Sequence, residues 1–232
     1  MQIHGFLKTT LLDYPRHVAS TIFTGSCNFH CPFCHNGDLV LHPNRVPLIS
    51  EEEIFTYLKK RKGILEGVCI SGGEPTLQAD LRDFILKIKE LGYLVKLDTN
   101  GYRPDVLSSL LQEHLLDYVA MDIKNSPGKY ELTCACPGLD LSLIERSTDL
   151  LMNGSIPFEF RTTIVRQLHV IEDMDEIGRW LKDAPAYYLQ NYTESDNVIS
   201  PGFTPCSIEE LKQFQERAAR YIPSTLLRGV SV

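Results

Sequence analysis

The stretch HVASTIFTGSCNFHCPFCHN fills residues 17–36 and falls into two unlike halves. Residues 17–25, HVASTIFTG, are rich in β-branched side chains and closed by a glycine, which reads as a strand. The ten residues from Cys27 to Asn36 then gather three cysteines, two phenylalanines and two histidines. A strand followed directly by so reactive a loop asks what the rest of the chain places beside it.

The rest alternates strand-like runs with helical segments. Ser50 followed by Glu53 is a capping box that opens a helix to about Arg61. GVCISGG (67–73) reads as a second strand. LQADLRDFILKIKELG (77–92) reads as an amphipathic helix with apolar positions at Leu81, Phe84, Ile85 and Ile88. YLVKLDTNG (93–101), DYVAMDIK (117–124), PFEFRTTIV (157–165) and AYYLQNY (186–192) give strands three to six. Ser207 and Glu210 form a second capping box, starting a last helix that ends before Pro223. Alternation of this kind predicts an α/β fold with a parallel sheet and right-handed crossovers.

In such folds ligands bind at the carboxyl ends of the strands. The notable polar residues fall there: SGGEP (71–75), Asp98 to Gly101, and Asp122 with Lys124. Period-two alternation puts Val95 and Leu97 on one face, with Lys96 and Asp98 on the other. It sets Ala120, Asp122 and Lys124 opposite Val119, Met121 and Ile123. Arg161, alternating with Phe158 and Phe160, joins the polar face. One polar pocket is expected where these side chains converge.

The chain of 232 residues is 43% hydrophobic and 23% charged, ordinary for a globule with a real core. A net charge of −7 gives no reason to expect nucleic acid. The basic run KKRKG (59–63) suits a solvated helix C-terminus. No run approaches the roughly 18 apolar residues of a membrane span, and the first fifteen residues lack a signal-peptide pattern. Seven cysteines, an odd number, fit a reducing cytoplasm better than secretion.

Cys27, Cys31 and Cys34 have the spacing C-x3-C-x2-C. A zinc ion would need a fourth ligand such as His35, next to Cys34 and strained for one tetrahedral site. A disulfide would leave one cysteine over and leave the strand-end residues unexplained. An iron–sulfur cluster on three thiolates would leave one iron open to a small molecule.

The cysteine motif, with Phe33 before its last member, resembles the signature of the radical S-adenosylmethionine (SAM) superfamily, and SGGEP resembles that superfamily's second motif. The resemblance implies a partial (β/α)6 TIM-type barrel with outer helices. It implies a [4Fe–4S] cluster on Cys27, Cys31 and Cys34, with SAM on the open iron and reductive cleavage of its sulfonium. Gly72, Gly73 and Glu74 would then border SAM, Phe33 its adenine, and His35 the adenine or sulfur.

CHN after the cluster motif, LDTNG (97–101) and MDIK (121–124) resemble the glycyl-radical-enzyme activases. By that match Asp98, Thr99, Asn100, Asp122, Ile123 and Lys124 lie around SAM, joined by Arg161. Two aspartates beside an anionic cluster would repel, so a monovalent cation held by Asp98, the Thr99 hydroxyl, Asp122 and a strand-four carbonyl near Ala120 is expected. The alternative is a structural ion pair of Asp98 with Lys124. GFLKTTLLDYP (5–15) with CNFHCPFCHN resembles the anaerobic ribonucleoside-triphosphate reductase activating proteins, although Arg16 stands where a glycine is expected.

The implied partners are a glycyl-radical enzyme, foremost an anaerobic ribonucleotide reductase, and a flavodoxin- or ferredoxin-type electron donor. Pyruvate formate-lyase as the activated enzyme, or a purine-like small molecule as substrate, are the alternatives. One domain is expected over 1–232: an extension (1–16), a barrel core (17–200), and a C-terminal helix and tail (201–232). Cys69 is expected as a buried thiol, and Cys134 with Cys136 in a reactive connection.

Overall fold

The computed structural model describes residues 1–229; the last three residues of the expected tail, 230–232, lie outside the described residues. Eight strands form one sheet among the described residues and follow one another across it in chain order. β1 (Ile3–Thr10) runs antiparallel to β2 (Ala19–Thr24). From β2 onward every neighbour is parallel. These strands are β3 (Gly67–Gly72), β4 (Leu94–Thr99), β5 (Tyr118–Asp122), β6 (Phe158–Ile164), β7 (Tyr187–Asn191) and β8 (Thr225–Arg228). No pairing joins β1 to β8 among the described residues, so the sheet forms a barrel left open along one side.

The helices fill the crossovers. α1 (Gly37–Leu41) and α2 (Glu51–Lys60) lie between β2 and β3, α3 (Leu81–Glu90) between β3 and β4, and α4 (Pro104–Gln112) between β4 and β5. α5 (Tyr130–Cys134) and α6 (Leu141–Met152) precede β6, α7 (Asp173–Trp180) precedes β7, and α8 (Ile208–Ala219) precedes β8. Ser50 Oγ accepts the Glu53 N–H at 3.2 Å and so starts α2. At α8 both halves of the Ser207–Glu210 capping box are present. Leu81, Phe84, Ile85 and Ile88 make the buried stripe of α3, as their spacing predicts.

Alternation along the strands separates two environments. Val95, Leu97, Val119, Met121 and Phe160 are fully buried in the apolar core. Lys96, Asp98, Asp122 and Arg161 take the other face and meet one another inside the barrel.

Both ends of the chain differ from the sequence reading. Residues 3–10, expected in an extension ahead of the barrel, form β1 and lengthen the sheet. Two register shifts, between Ile3 and Gly5 and between Leu7 and Thr10, break the alternation that would have marked a strand. Tyr14, 2% exposed, plugs the barrel end, its ring 2.8 Å from where a Gly67 Cβ would stand. Near the other end, residues expected as tail supply β8, only four residues long, paired with β7. Arg16 has φ +68°, the left-handed conformation that explains why a glycine suits its place.

Candidate active site

The loop after β2 is held by backbone bonds from four directions. Ser26 N–H donates to Leu39 O at 2.8 Å, and Ser26 O accepts the Glu74 N–H at 2.8 Å. His30 N–H donates to Cys134 O at 3.0 Å. Beyond β7, Ile199 N–H reaches Cys34 O at 3.2 Å and Ser200 N–H reaches Pro32 O at 2.8 Å. Such anchoring fixes the three thiols at the carboxyl ends of the strands.

Those thiols line one cavity of about 140 Å³. Gly72, Gly73 and Glu74 line it from the end of β3, Asp98, Thr99 and Asn100 from β4, Asp122 and Lys124 from β5, and Arg161 from β6. The sequence-derived residues thus meet from five strand ends. Three others stand elsewhere. Ile123 is fully buried in the apolar core, as its opposite parity from Asp122 and Lys124 dictates. Phe33 packs in the same core and does not line the cavity. His35 is exposed and turns its Nε2 to the Thr193 carbonyl.

The glycines answer a steric demand of the fold. Gly72 has φ +116°, and a Cβ there would stand 2.2 Å from Thr24 N; at Gly73 it would stand 2.0 Å from Ser26 O. Only residues without Cβ let β3 end flush against the start of the cysteine loop. The Gly72 carbonyl accepts Asn36 Nδ2 at 2.8 Å, bracing the cysteine loop again. Glu74, 1% exposed, accepts from Thr76 N (3.0 Å), Thr76 Oγ1 (2.6 Å), Thr99 Oγ1 (2.8 Å) and Asn100 N (2.7 Å). Burial raises its carboxyl above the usual range, against the pull of those four bonds.

A charge chain crosses the barrel interior. Arg161 Nε binds Asp122 Oδ1 at 2.9 Å while its Nη1 binds Asp98 Oδ2 at 3.1 Å. Lys124 Nζ binds Asp122 Oδ2 at 3.1 Å, Lys96 Nζ binds Asp98 Oδ1, and Ser71 Oγ donates to Asp98 Oδ2 at 3.3 Å. Burial alone would raise both aspartates; Arg161 with Lys96 or Lys124 outweighs it, lowering Asp98 and taking Asp122 to about 2. The alternative ion pair of Asp98 with Lys124 does not form: Lys124 pairs with Asp122, and Asp98 with Lys96 and Arg161.

Sequence reasoning assigned no role to Lys96, Ser71, Asn28, Asn36 or His169. Lys96 carried a signal: a lone lysine between apolar residues in a strand covered on both faces. His169 carried none. It is 3% exposed and holds the Lys124 carbonyl through Nε2 at 2.9 Å, while Nδ1 accepts the Val165 N–H at 3.1 Å. Cys69, Cys134 and Cys206 are buried, and neither they nor Cys136 line the cavity.

The donor set suits a three-point mount. Cys27, Cys31 and Cys34 are free thiols, and among the described residues no histidine or fourth cysteine lines their cavity. Burial pushes Cys27 and Cys31 up to about 12, so a bound metal centre must displace their protons. Phe29 N–H lies 3.3 Å from Cys27 Sγ, and Asn100 Nδ2 lies 3.8 Å from it, donors that favour a thiolate. The Asn28 side-chain nitrogen next to them is buried without a partner among the described residues.

Fold and site together define an open parallel α/β barrel with a three-thiol mount at its strand ends. Residues 21–181 match the family model described as the radical SAM superfamily. The chain belongs to that superfamily, and it is an enzyme of that kind. A candidate glycyl-radical enzyme activating enzyme of Methanocaldococcus jannaschii is 32% identical over 99% of this chain and 96% of its own length. Among solved structures, Streptococcus suis SuiB bound to its precursor peptide SuiA superposes with a TM-score of 0.68 at 16% identity. The match covers 90% of this chain and 48% of SuiB, so the chain spans about half of SuiB's length. A domain of pyruvate-formate lyase-activating enzyme from Bacteroides vulgatus gives a TM-score of 0.56 at 18% identity, over 71% of this chain and 99% of that domain.

The superfamily's cofactors are a [4Fe–4S] cluster and SAM, and the three thiols with the polar strand ends fit them. When bound, they supply one-electron reductive cleavage of the SAM sulfonium. The chain's own residues mount the thiols, line the same cavity with paired charges, and keep it narrow.

Proposed function

We propose that this protein activates a glycyl-radical enzyme, using SAM, one electron and a glycine Cα hydrogen to give methionine, 5′-deoxyadenosine and a stored glycyl radical on its partner. The observation that carries this reading is the full-length likeness to the Methanocaldococcus jannaschii relative, joined to the three-thiol cavity. Cys27, Cys31 and Cys34 would hold the cluster. Gly72, Gly73, Glu74, Asp98, Thr99, Asn100, Asp122, Lys124 and Arg161 would shape the SAM pocket. No side chain need serve as a general base, because the chemistry belongs to the cofactors.

The favoured partner is an anaerobic ribonucleoside-triphosphate reductase, reached through the open side of the barrel. The support for it is the run GFLKTTLLDYP before the cysteine loop, which β1 and the following turn carry. A flavodoxin- or ferredoxin-type protein would deliver the electron. Seven cysteines without a disulfide suit a reducing cytoplasm, and no helix is long and apolar enough to cross a membrane, both among the described residues.

The test is anaerobic reconstitution with iron and sulfide, then SAM and dithionite. 5′-Deoxyadenosine without any partner establishes the cleavage. An EPR glycyl doublet on an added anaerobic ribonucleotide reductase identifies the partner, and a doublet only on pyruvate formate-lyase moves the assignment there. No doublet on any glycyl-radical enzyme, with consumption of a purine nucleotide instead, sinks the activase reading.

A further inference from the structure

Lys96 is 1% exposed, and its ammonium touches two side chains, Asp98 Oδ1 and, at 3.8 Å, Cys69 Sγ. An ammonium so far from water is stable only beside a carboxylate. It heads a chain that reads Lys96, Asp98, Arg161, Asp122, Lys124, with three positive charges and two negative. Each of the four carboxylate oxygens already faces a cationic partner. The repulsion that would call for an inorganic cation between Asp98 and Asp122 is met by side chains alone.

The Thr99 hydroxyl that such a cation would need is also engaged. Thr99 Oγ1 donates to Glu74 Oε1 at 2.8 Å and accepts the Gly101 N–H at 3.1 Å. Asp98 Oδ1 is taken by the Lys96 ammonium, whose other side-chain neighbour is the Cys69 sulfur, a poor setting for a hard cation that takes oxygen ligands.

We infer that Lys96 is a built-in counter-ion, a positioning residue that holds Asp98 and, through it, Arg161, in the place of an inorganic monovalent cation. SAM binding in this protein then needs no added potassium or sodium. The inference rests on the reading of the cavity as the SAM site and is independent of which protein receives the radical.

Two measurements test it at constant ionic strength in potassium, sodium and choline chloride: the melting temperature of the cluster-free protein, and the SAM Kd of the reconstituted protein by equilibrium dialysis. For the unaltered protein, melting temperatures that agree across the three salts and Kd values within about twofold are expected. In choline, Lys96→Ala should bind SAM about tenfold more weakly, for want of the charge that paired Asp98. Potassium or ethylammonium should bring that Kd back to within about threefold of the parent, because the vacated space admits a small cation. A tenfold loss of SAM affinity, or a marked fall in melting temperature, for the unaltered protein in choline overturns the inference. So does a folded Lys96→Ala protein that neither cation rescues. If Lys96→Ala does not fold, the salt series on the unaltered protein decides alone. Absence of SAM binding in every salt strikes the reading of the cavity, and the melting series still decides on Lys96.

Discussion

The Glu74 carboxylate accepts the Asn100 N–H at 2.7 Å, so the glutamate of the Gly-Gly-Glu-Pro turn ties the end of β3 to the end of β4. With Thr76 and Thr99 it serves four donors at 1% exposure. Glu74→Ala leaves those donors buried and unpaired, at a cost of about 3–5 kcal/mol. Glu74→Gln keeps one acceptor oxygen and should lose less. Urea unfolding of the cluster-free proteins measures both. Equal stability of Glu74→Ala and the parent would show that the brace is not needed.

Asp122 gives a pH-dependent contribution whose sign is fixed. Its folded value, about 2, lies below the ordinary 3.8, with Arg161 and Lys124 outweighing burial. The native state therefore binds this proton less tightly than the unfolded chain does. The stabilisation is fully present above pH 4 and is lost as pH falls from about 4 towards 2. A third of the side chain is open to solvent, so the contribution is about 1–2 kcal/mol after screening. The stability gap between the parent and Asp122→Asn should narrow over that window and stay flat from pH 5 to 8. A gap that widens on acidification contradicts the pairing.

Much of this site was legible because strand alternation and strand-end placement are local rules. Asp98, Asp122 and Arg161 could be set on one face from the period of two, and they do meet. Ile123 fails by the same rule, since a residue between two inward-facing neighbours points outward into the core. Phe33 and His35 enter through the resemblance as neighbours of Cys34 in its motif, and adjacency in a loop carries no direction. His169 depends on Lys124, forty-five positions away, whereas Lys96 pairs with Asp98 two residues on along β4, a neighbour the period of two already sets on its face. β1 was hidden by its two bulges, and β8 by its four-residue length.

His35 separates a cluster mount from a zinc site. Its Nε2 faces the Thr193 carbonyl and its ring packs 5.7 Å from that of Tyr192. His35→Ala should therefore keep the full iron content and visible absorption after reconstitution. Cys31→Ser, removing a thiol that is 6% exposed and lines the cavity, should lose the cluster spectrum. Iron loss in His35→Ala would make the histidine a ligand and revive the tetrahedral alternative.

Arg16 occupies a left-handed conformation, φ +68°, that side chains with a Cβ adopt at a cost of about 1 kcal/mol. Arg16→Gly removes that strain and adds some unfolded-state entropy. A net gain of about 0.5 kcal/mol, or about 1–2 °C in melting temperature, is expected. Arg16→Ala should bring no such gain, because alanine keeps the Cβ. A fall in stability of the glycine variant would mean that the arginine side chain makes a contribution larger than the strain.

Arg228 grips Glu159 through both carboxylate oxygens, at 2.5 and 2.8 Å, and lies 3.7 Å over the Tyr188 ring. Glu159 is completely buried and has one further donor, Tyr118 OH at 3.0 Å. The pair joins β8 to β6 across β7, so the last strand is fastened to the barrel by more than its short ladder. Arg228→Met strands a buried carboxylate and should cost about 3–5 kcal/mol, lowering the melting temperature by about 10 °C. Glu159→Gln removes the stranded charge, so the double variant Glu159→Gln/Arg228→Met should be more stable than Arg228→Met alone. That reversal is the sign of a desolvated pair; simple addition of the two losses would instead show that β8 is held by packing and backbone bonds.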